Sequence, residues 1–257
     1  MKYIYIIILS FVFGASAYSQ EQKEPIARKN NKLEHKIVAG FNFGATTPFP
    51  IPEEVRAIEA WWPQFGAQLG YNILMQGNGN WGVGSGILLD YKGMGVRDRV
   101  KYMHTIVDIE VGERQGKFEG YFTGKNQTIV KSAYVTIPVY ITYYLKNKWN
   151  FRLGMYGSYL FSSEFSGKVW DGYIRVNDYT GEKILINSES PAFFNFGTKM
   201  RSFDVGIIGG AEYKINHKFG IYTNISYGAT SVFKSSFRGI GFNLHNMYAA
   251  AGLSYTL

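Results

Sequence analysis

The feature that most constrains this chain is a period-two alternation that recurs eight times, with apolar and aromatic residues on one parity and glycine or polar residues on the other. Successive side chains of a strand point to opposite faces, so each such segment carries one greasy side and one small, polar side. The segments are 36–45, 64–75, 81–92, 128–145, 150–161, 203–214, 219–233 and 244–257. The sixth is the cleanest: Phe203, Val205, Ile207, Ala211 and Tyr213 alternate with Asp204, Gly206, Gly210, Glu212 and Lys214. A one-residue slip would exchange the two sides completely, so register is strongly specified wherever the sides face different media. Pro138 lies inside the fourth segment and lacks a ladder N–H, which predicts a bulge there.

The connectors alternate in length. Segments 76–80, 146–149 and 216–218 are short and turn-like, whereas 46–63, 93–127, 162–200 and 234–243 are long. A transmembrane barrel has this layout, with short periplasmic turns and longer extracellular loops, and closure satisfies every backbone group in hydrocarbon. The expected fold is therefore all-β: an eight-stranded antiparallel up-and-down transmembrane β-barrel in the bacterial outer membrane, with outer-membrane lipid around it. Aromatic residues make up 17% of the chain, and many sit at segment ends, among them Trp81, Trp149, Tyr213, Tyr91 and Phe203. Two belts of amphipathic rings at the lipid boundaries account for that placement. A soluble eight-stranded carrier of the lipocalin type would hold its apolar face inside, leaving the glycine-and-charge face outside.

The N-terminus reads as an export signal: Lys2, an apolar run over 3–13, then Ala15-Ser16-Ala17 as a small-residue cleavage site. Residues 1–19 are expected to be removed, 20–35 to form a flexible periplasmic lead, and 36–257 to form the barrel. The chain has no cysteine, which excludes disulfides and thiolate metal sites. Its net charge of +8 is not gathered into an arm or a helix, so no nucleic-acid partner is expected.

Three strings carry a resemblance: Ala133-Tyr134-Val135-Thr136-Ile137-Pro138-Val139, Leu153-Gly154-Met155-Tyr156-Gly157-Ser158-Tyr159, and Phe203-Asp204-Val205-Gly206-Ile207-Ile208-Gly209-Gly210. In order and spacing they resemble the PorT-like outer-membrane β-barrel family of Bacteroidetes, over essentially the whole mature chain. The resemblance implies an outer-membrane barrel of about eight strands. Its founding member is associated with protein secretion, which makes an accessory role in a secretion or envelope machine an alternative function.

Eight strands enclose just enough room for side chains. Asp90, Arg152, Asp204, Glu212 and Lys214 fall on the inward parity with both signs of charge, and are expected to form a polar network in the lumen. A hydrolase would need a Ser/His/acid set, and Ser226, His245 and Glu212 are the nearest candidates. Ser226 lies mid-strand while His245 opens its own strand, so the two should differ in height. No catalytic residues, no cofactor and no metal ligands are therefore assigned, and a lipid-modifying hydrolase stays a minor alternative. Trp61 and Trp62 in the first long connector, and Trp170 and Tyr173 in the third, are candidate contacts for a protein or glycan partner. The leading expectation is a barrel with a filled lumen, acting in a structural, anchoring or surface-interaction role through its long loops.

Overall fold

The computed structural model describes residues 32–257, apart from Asn78, Gly112, Glu113 and Asn147. The expected signal peptide and most of the expected lead lie outside the described residues. The strands in chain order are β1 (Lys32–Thr47), β2 (Val55–Pro63), β3 (Ala67–Gln76), β4 (Trp81–Val111), β5 (Arg114–Leu145), β6 (Trp149–Val176), β7 (Lys183–Ile186), β8 (Ala192–Asn195), β9 (Phe203–Lys214), β10 (Phe219–Gly228) and β11 (His245–Thr256). Among the described residues, helical structure is limited to one 3-10 turn, Gly197–Lys199.

Eight strands close into a cylinder: β1, β3, β4, β5, β6, β9, β10 and β11 pair antiparallel in sequence order, and β11 returns to β1 from Lys36↔Thr256 to Thr47↔His245. The apolar parity faces out. Phe41, Leu69, Ile87, Val139, Leu153, Ile207 and Ile225 are exposed, while Asn72, Asp90, Arg152, Asp204 and Glu212 are buried. Water could not surround such an exterior without a large apolar penalty, so hydrocarbon is the medium this surface fits.

Ring pairs between neighbouring strands mark the two edges of that exterior. Trp81–Tyr143, Trp149–Tyr213 and Phe219–Tyr255 sit near the short turns, with centroids 4.9, 4.9 and 5.1 Å apart. Phe65–Tyr91 and Tyr159–Phe203, at 5.5 and 5.3 Å, form the opposite belt. Ten residues separate Trp81 from Tyr91, and Phe203 from Tyr213; in tilted strands rising about 3.3 Å per residue this spans an apolar band of about 25 Å.

Three expectations need correction. β1 begins at Lys32, inside the expected lead, because Leu33, His35 and Ile37 alternate with Glu34 and Lys36, whose charges are paired in the lumen. The long connectors 93–127 and 162–200 are largely strand, since β4, β5 and β6 run on well beyond the outer belt. Above Lys92 the inward parity of β4 continues as Met94, Val96, Asp98 and Val100, and Arg97 and Arg99 point outward. The parity holds while the chemistry exchanges sides, because the surroundings change from lipid to water. β2 pairs onto the outer part of β4, and β7 and β8 pair onto β6, with β8 also touching β4. The result is an outer lobe with its own core, including Val100, Val107, Ile109, Phe122, Val130, Ile174 and Ile186.

Pro138 is accommodated without a bulge. The β4–β5 register is the same at Ser85↔Val139 and Leu88↔Thr136, and the two residues between on each strand are unpaired across that seam alone. Ser85 Oγ donates to Pro138 O at 2.9 Å within that gap.

The lipid-facing assignment makes a direct prediction. Leu153→Arg, at a 69% exposed position opposite Ile141 and Gly209, should cost about 2–4 kcal/mol in reversible urea unfolding from phospholipid vesicles. A loss below about 0.5 kcal/mol, the scatter typical of a watery surface site, would place Leu153 outside the bilayer.

Candidate functional site

The cylinder interior is a stack of polar contacts. Nearest the short turns, Lys36 Nζ donates to Glu212 Oε1 and Oε2 at 2.8 and 2.9 Å, and Ser254 Oγ donates to Glu212 Oε1 at 2.7 Å. Arg152 lies 3.7 Å from the same carboxylate, and Lys214 Nζ donates to both oxygens of Glu34 at 3.0 and 3.2 Å. One layer outward, Tyr222 Oη donates to Gln68, whose amide donates to Asp90 at 2.5 Å; Asn42 also donates to Asp90, at 3.2 Å. Outermost, Asp204 accepts from Tyr156, Thr230 and Asn246 at 3.0, 2.7 and 3.0 Å. Lys92 Nζ stands 5.2 Å from the ring centres of Tyr134 and Tyr156, and 5.7 Å from that of Tyr248.

Glu34, Asp90, Asp204 and Glu212 thus share the interior with Lys36, Lys92, Arg152 and Lys214, four acids with four bases. Balance of this kind lets charges sit in a confined space: the acids, Lys36, Arg152 and Lys214 are each met by an opposite charge or by donors, and Lys92 by the rings of three tyrosines. Tyrosines fill what space is left by reaching to glycines on other strands. A Cβ at Gly40 would come 2.6 Å from Tyr222 Oη, and one at Gly84 would collide with Tyr140. Two cavities at this level measure about 10 and 20 Å³, each with room for one water at most.

The structure brings Arg152 and Glu212 together and places Asp90, Asp204 and Lys214 with other partners. Lys36, Glu34 and Lys92 were not among the sequence candidates. The signal for them was present: Lys36 and Glu34 continue the parity of Val38 backwards, and Lys92 continues that of Asp90 forwards. Lys36 and Lys92 are the terminal residues of segments 36–45 and 81–92, and only Glu34 lies beyond its segment, in the expected lead.

The Ser/His/acid candidates stand apart. Ser226 is opposite Tyr248 and donates to its carbonyl at 3.2 Å, His245 Nδ1 lies 2.9 Å from Gly228 O, and Glu212 is opposite Tyr222. Four residues of β10 separate the levels of Glu212 and Ser226, roughly 13 Å along the strand. Among the described residues no group of three His, Cys, Asp or Glu side chains could hold a metal ion.

The aromatic candidates divide. Trp62 lies flat on Gly95, where a Cβ would collide with its ring, whereas Trp61 is 45% exposed on the other side of β2. Trp170 has Arg97 and Lys168 at 5.9 and 5.3 Å from its ring centre. Tyr173 has Lys183 at 4.1 Å and Arg175 at 5.8 Å. Near it, Tyr121 stacks on Tyr179 at 3.9 Å, with Tyr102 edge-on to Tyr179. The lobe therefore presents rings flanked by cations.

Beneath that surface, Asp98 is nearly buried and accepts from Asn126 Nδ2 at 2.8 Å. Loss of water raises its carboxyl to about 6, against the lowering effect of the Asn126 hydrogen bond and with a smaller push from Glu59.

This geometry defines a class: a closed eight-stranded membrane barrel with a filled interior and a folded outer lobe. Residues 18–234 match the family described as outer membrane protein beta-barrel domain; the chain belongs to that family and is an outer-membrane β-barrel protein. No curated protein matches the chain in sequence. Among solved structures, Ail, the attachment invasion locus protein of Yersinia pestis, is 8% identical with a TM-score of 0.37, over 88% of this chain and 99% of that one. Ail in complex with the heparin analogue sucrose octasulfate gives 9% and 0.35, over 88% and 97%. OprG from Pseudomonas aeruginosa gives 13% and 0.37, over 88% and 97%.

Two outcomes follow from the charges. Lys36→Met leaves Glu212 in the interior without its principal partner and should cost about 3–5 kcal/mol in vesicle unfolding, whereas the double variant K36M/E212Q should recover most of that loss. Asp98 has a raised folded-state value, so its contribution is fully present below the ordinary carboxylate pKa and is lost as pH rises through about 6. A shift of about two units corresponds to about 3 kcal/mol at the upper end. Hydrogen exchange of the β4 extension should therefore quicken between pH 5 and 7.5 in the unaltered protein, after correction for intrinsic rates, and change less in Asp98→Asn.

Proposed function

We propose that the protein is a surface-interaction barrel, in which a filled cylinder anchors the outer lobe and displays it outside the cell. In this reading residues 1–19 direct export, the short turns face the periplasm, and the lobe is extracellular. The observation that carries it is the contrast between the two ends. The short-turn end has connectors of a few residues, whereas at the other end β4, β5 and β6 extend into a cored sheet bearing cation-flanked Trp170 and Tyr173. A scaffold of this size is a rigid platform for recognition, and aromatic rings with adjacent cations suit a partner carrying negative charge, whether glycan or protein.

Membership of the PorT-like branch is part of the same proposal and is supported by the three strings quoted above. The secretion role implied by that resemblance rests on no feature of the fold and is not advanced.

The test is retention of the purified protein, in lipid nanodiscs, on immobilised anionic and neutral polysaccharides and acidic proteins. Salt-sensitive retention on an anionic surface, weakened about tenfold or more by Trp170→Ala together with Tyr173→Ala, is the expected outcome; tenfold is about 1.4 kcal/mol, within reach of two cation–ring contacts. Equal retention on neutral surfaces, or indifference to both substitutions, would remove the lobe from the role.

A further inference from the structure

A cavity of about 230 Å³ lies at the base of the outer lobe, where β3 has ended and β2 has taken its place beside β4. Its body is apolar, built from Met94, Met103, Phe165, Phe194, Phe196 and Leu244. Ile51, Ile58 and Trp61 also line it and are themselves exposed, so they form its rim. β2 is hydrogen-bonded to β4 along one edge and is the terminal strand of the sheet order, so the rim residues Ile58 and Trp61 lie on an edge strand, across the cavity from the outer end of β1 at Ala45, Thr46 and Thr47.

The polar side chains of the lining are four threonines, Asn126 and Asp98, and the amide oxygen and carboxylate of the last two accept hydrogen bonds. Asn126 is 4% exposed and gives its Nδ2 to Asp98 at 2.8 Å and to Thr128 at 3.2 Å. Those two acceptors orient the amide and leave Asn126 Oδ1 buried with no hydrogen-bond partner. A buried carbonyl oxygen without a donor is a costly arrangement in a protein interior and calls for a group to satisfy it. Asp98, which lines the same cavity, adds a carboxylate that is also an acceptor. The polar end therefore demands a donor, and it would repel a carboxylate head.

Size sets a second limit. An apolar cavity of about 150 Å³ holds benzene, so the present volume suits about nine non-hydrogen atoms. An apolar enclosure with a small set of converging polar groups is the usual form of a small-molecule site. We infer that this cavity binds a small apolar amine, its hydrocarbon among the methionines and phenylalanines and its head donating to Asn126 Oδ1 and Asp98.

The site is independent of the aromatic contacts proposed above, since Trp170 and Tyr173 are not among its lining residues. Octylamine, 1-octanol and octanoate match in chain length and differ in the head. Each is titrated calorimetrically into the full barrel in nanodiscs, with empty nanodiscs subtracted to remove bilayer partitioning. Saturable binding of octylamine, at least tenfold tighter than that of 1-octanol and with octanoate weaker still, is expected. The near-isosteric Asp98→Asn should abolish the preference for amine over alcohol, and Ala45→Phe, which intrudes on the wall, should weaken both. Trp61 emission should shift on octylamine addition to the unaltered protein, and that part of the signal should vanish in Trp61→Phe, giving a readout that needs no folding of the other variants. No saturable heat above empty nanodiscs, equal affinity for the three probes, or a preference for octanoate would each overturn the inference.

Discussion

A peptide backbone crossing hydrocarbon must find all its hydrogen-bond partners within the protein, and here that constraint is met by the return of β11 onto β1. Twelve residue pairs from Lys36↔Thr256 to Thr47↔His245 remove both sheet edges that an open meander would leave in lipid. Everything else follows from that closure. Once the cylinder is shut, alternate residues have no choice of medium, and the side that meets lipid must be as apolar as the lipid itself.

The inward side then faces the opposite difficulty, since charges are confined with little water. The interior answers with neutrality and reach. Lys36 is fully buried yet held by Glu212, which is shared with Arg152 and Ser254, so that its three partners come from three other strands. Because Lys36 and Ser254 reach Glu212 past intervening strands, and Asn42 reaches Asp90 past β3, the network ties the wall across its width and leaves only water-sized gaps. Chemistry that recognises anything larger is thereby displaced to the outer lobe, where the cavity beside β2 and the cation-flanked rings are found.

The eight-strand order, the parity of each strand and the belts were legible from sequence because hydrocarbon imposes one rule on every segment. The lobe was not, for a physical reason visible at Lys92. Below it Asp90 is inward and Leu89 outward; above it Val100 is inward and Arg99 outward, so a search for one constant apolar side stops at the membrane edge and reads strand as loop. At the other end Glu34 was missed because it lies before segment 36–45, while β1 begins at Lys32. The division between Trp61 and Trp62 depends on Gly95 across β2 and β4, a long-range contact that a local pattern does not contain. The orphaned oxygen of Asn126 is likewise a property of packing alone.

Which medium each parity meets can be measured directly, because the chain has no native cysteine. Single cysteines placed in turn at positions 221 to 227 of β10, spin-labelled in lipid vesicles, report collision with bilayer-dissolved oxygen. The account predicts a period-two profile with maxima at 221, 223 and 225 and minima at 222, 224 and 226. Maxima at the even positions, or a flat profile across the strand, would contradict it.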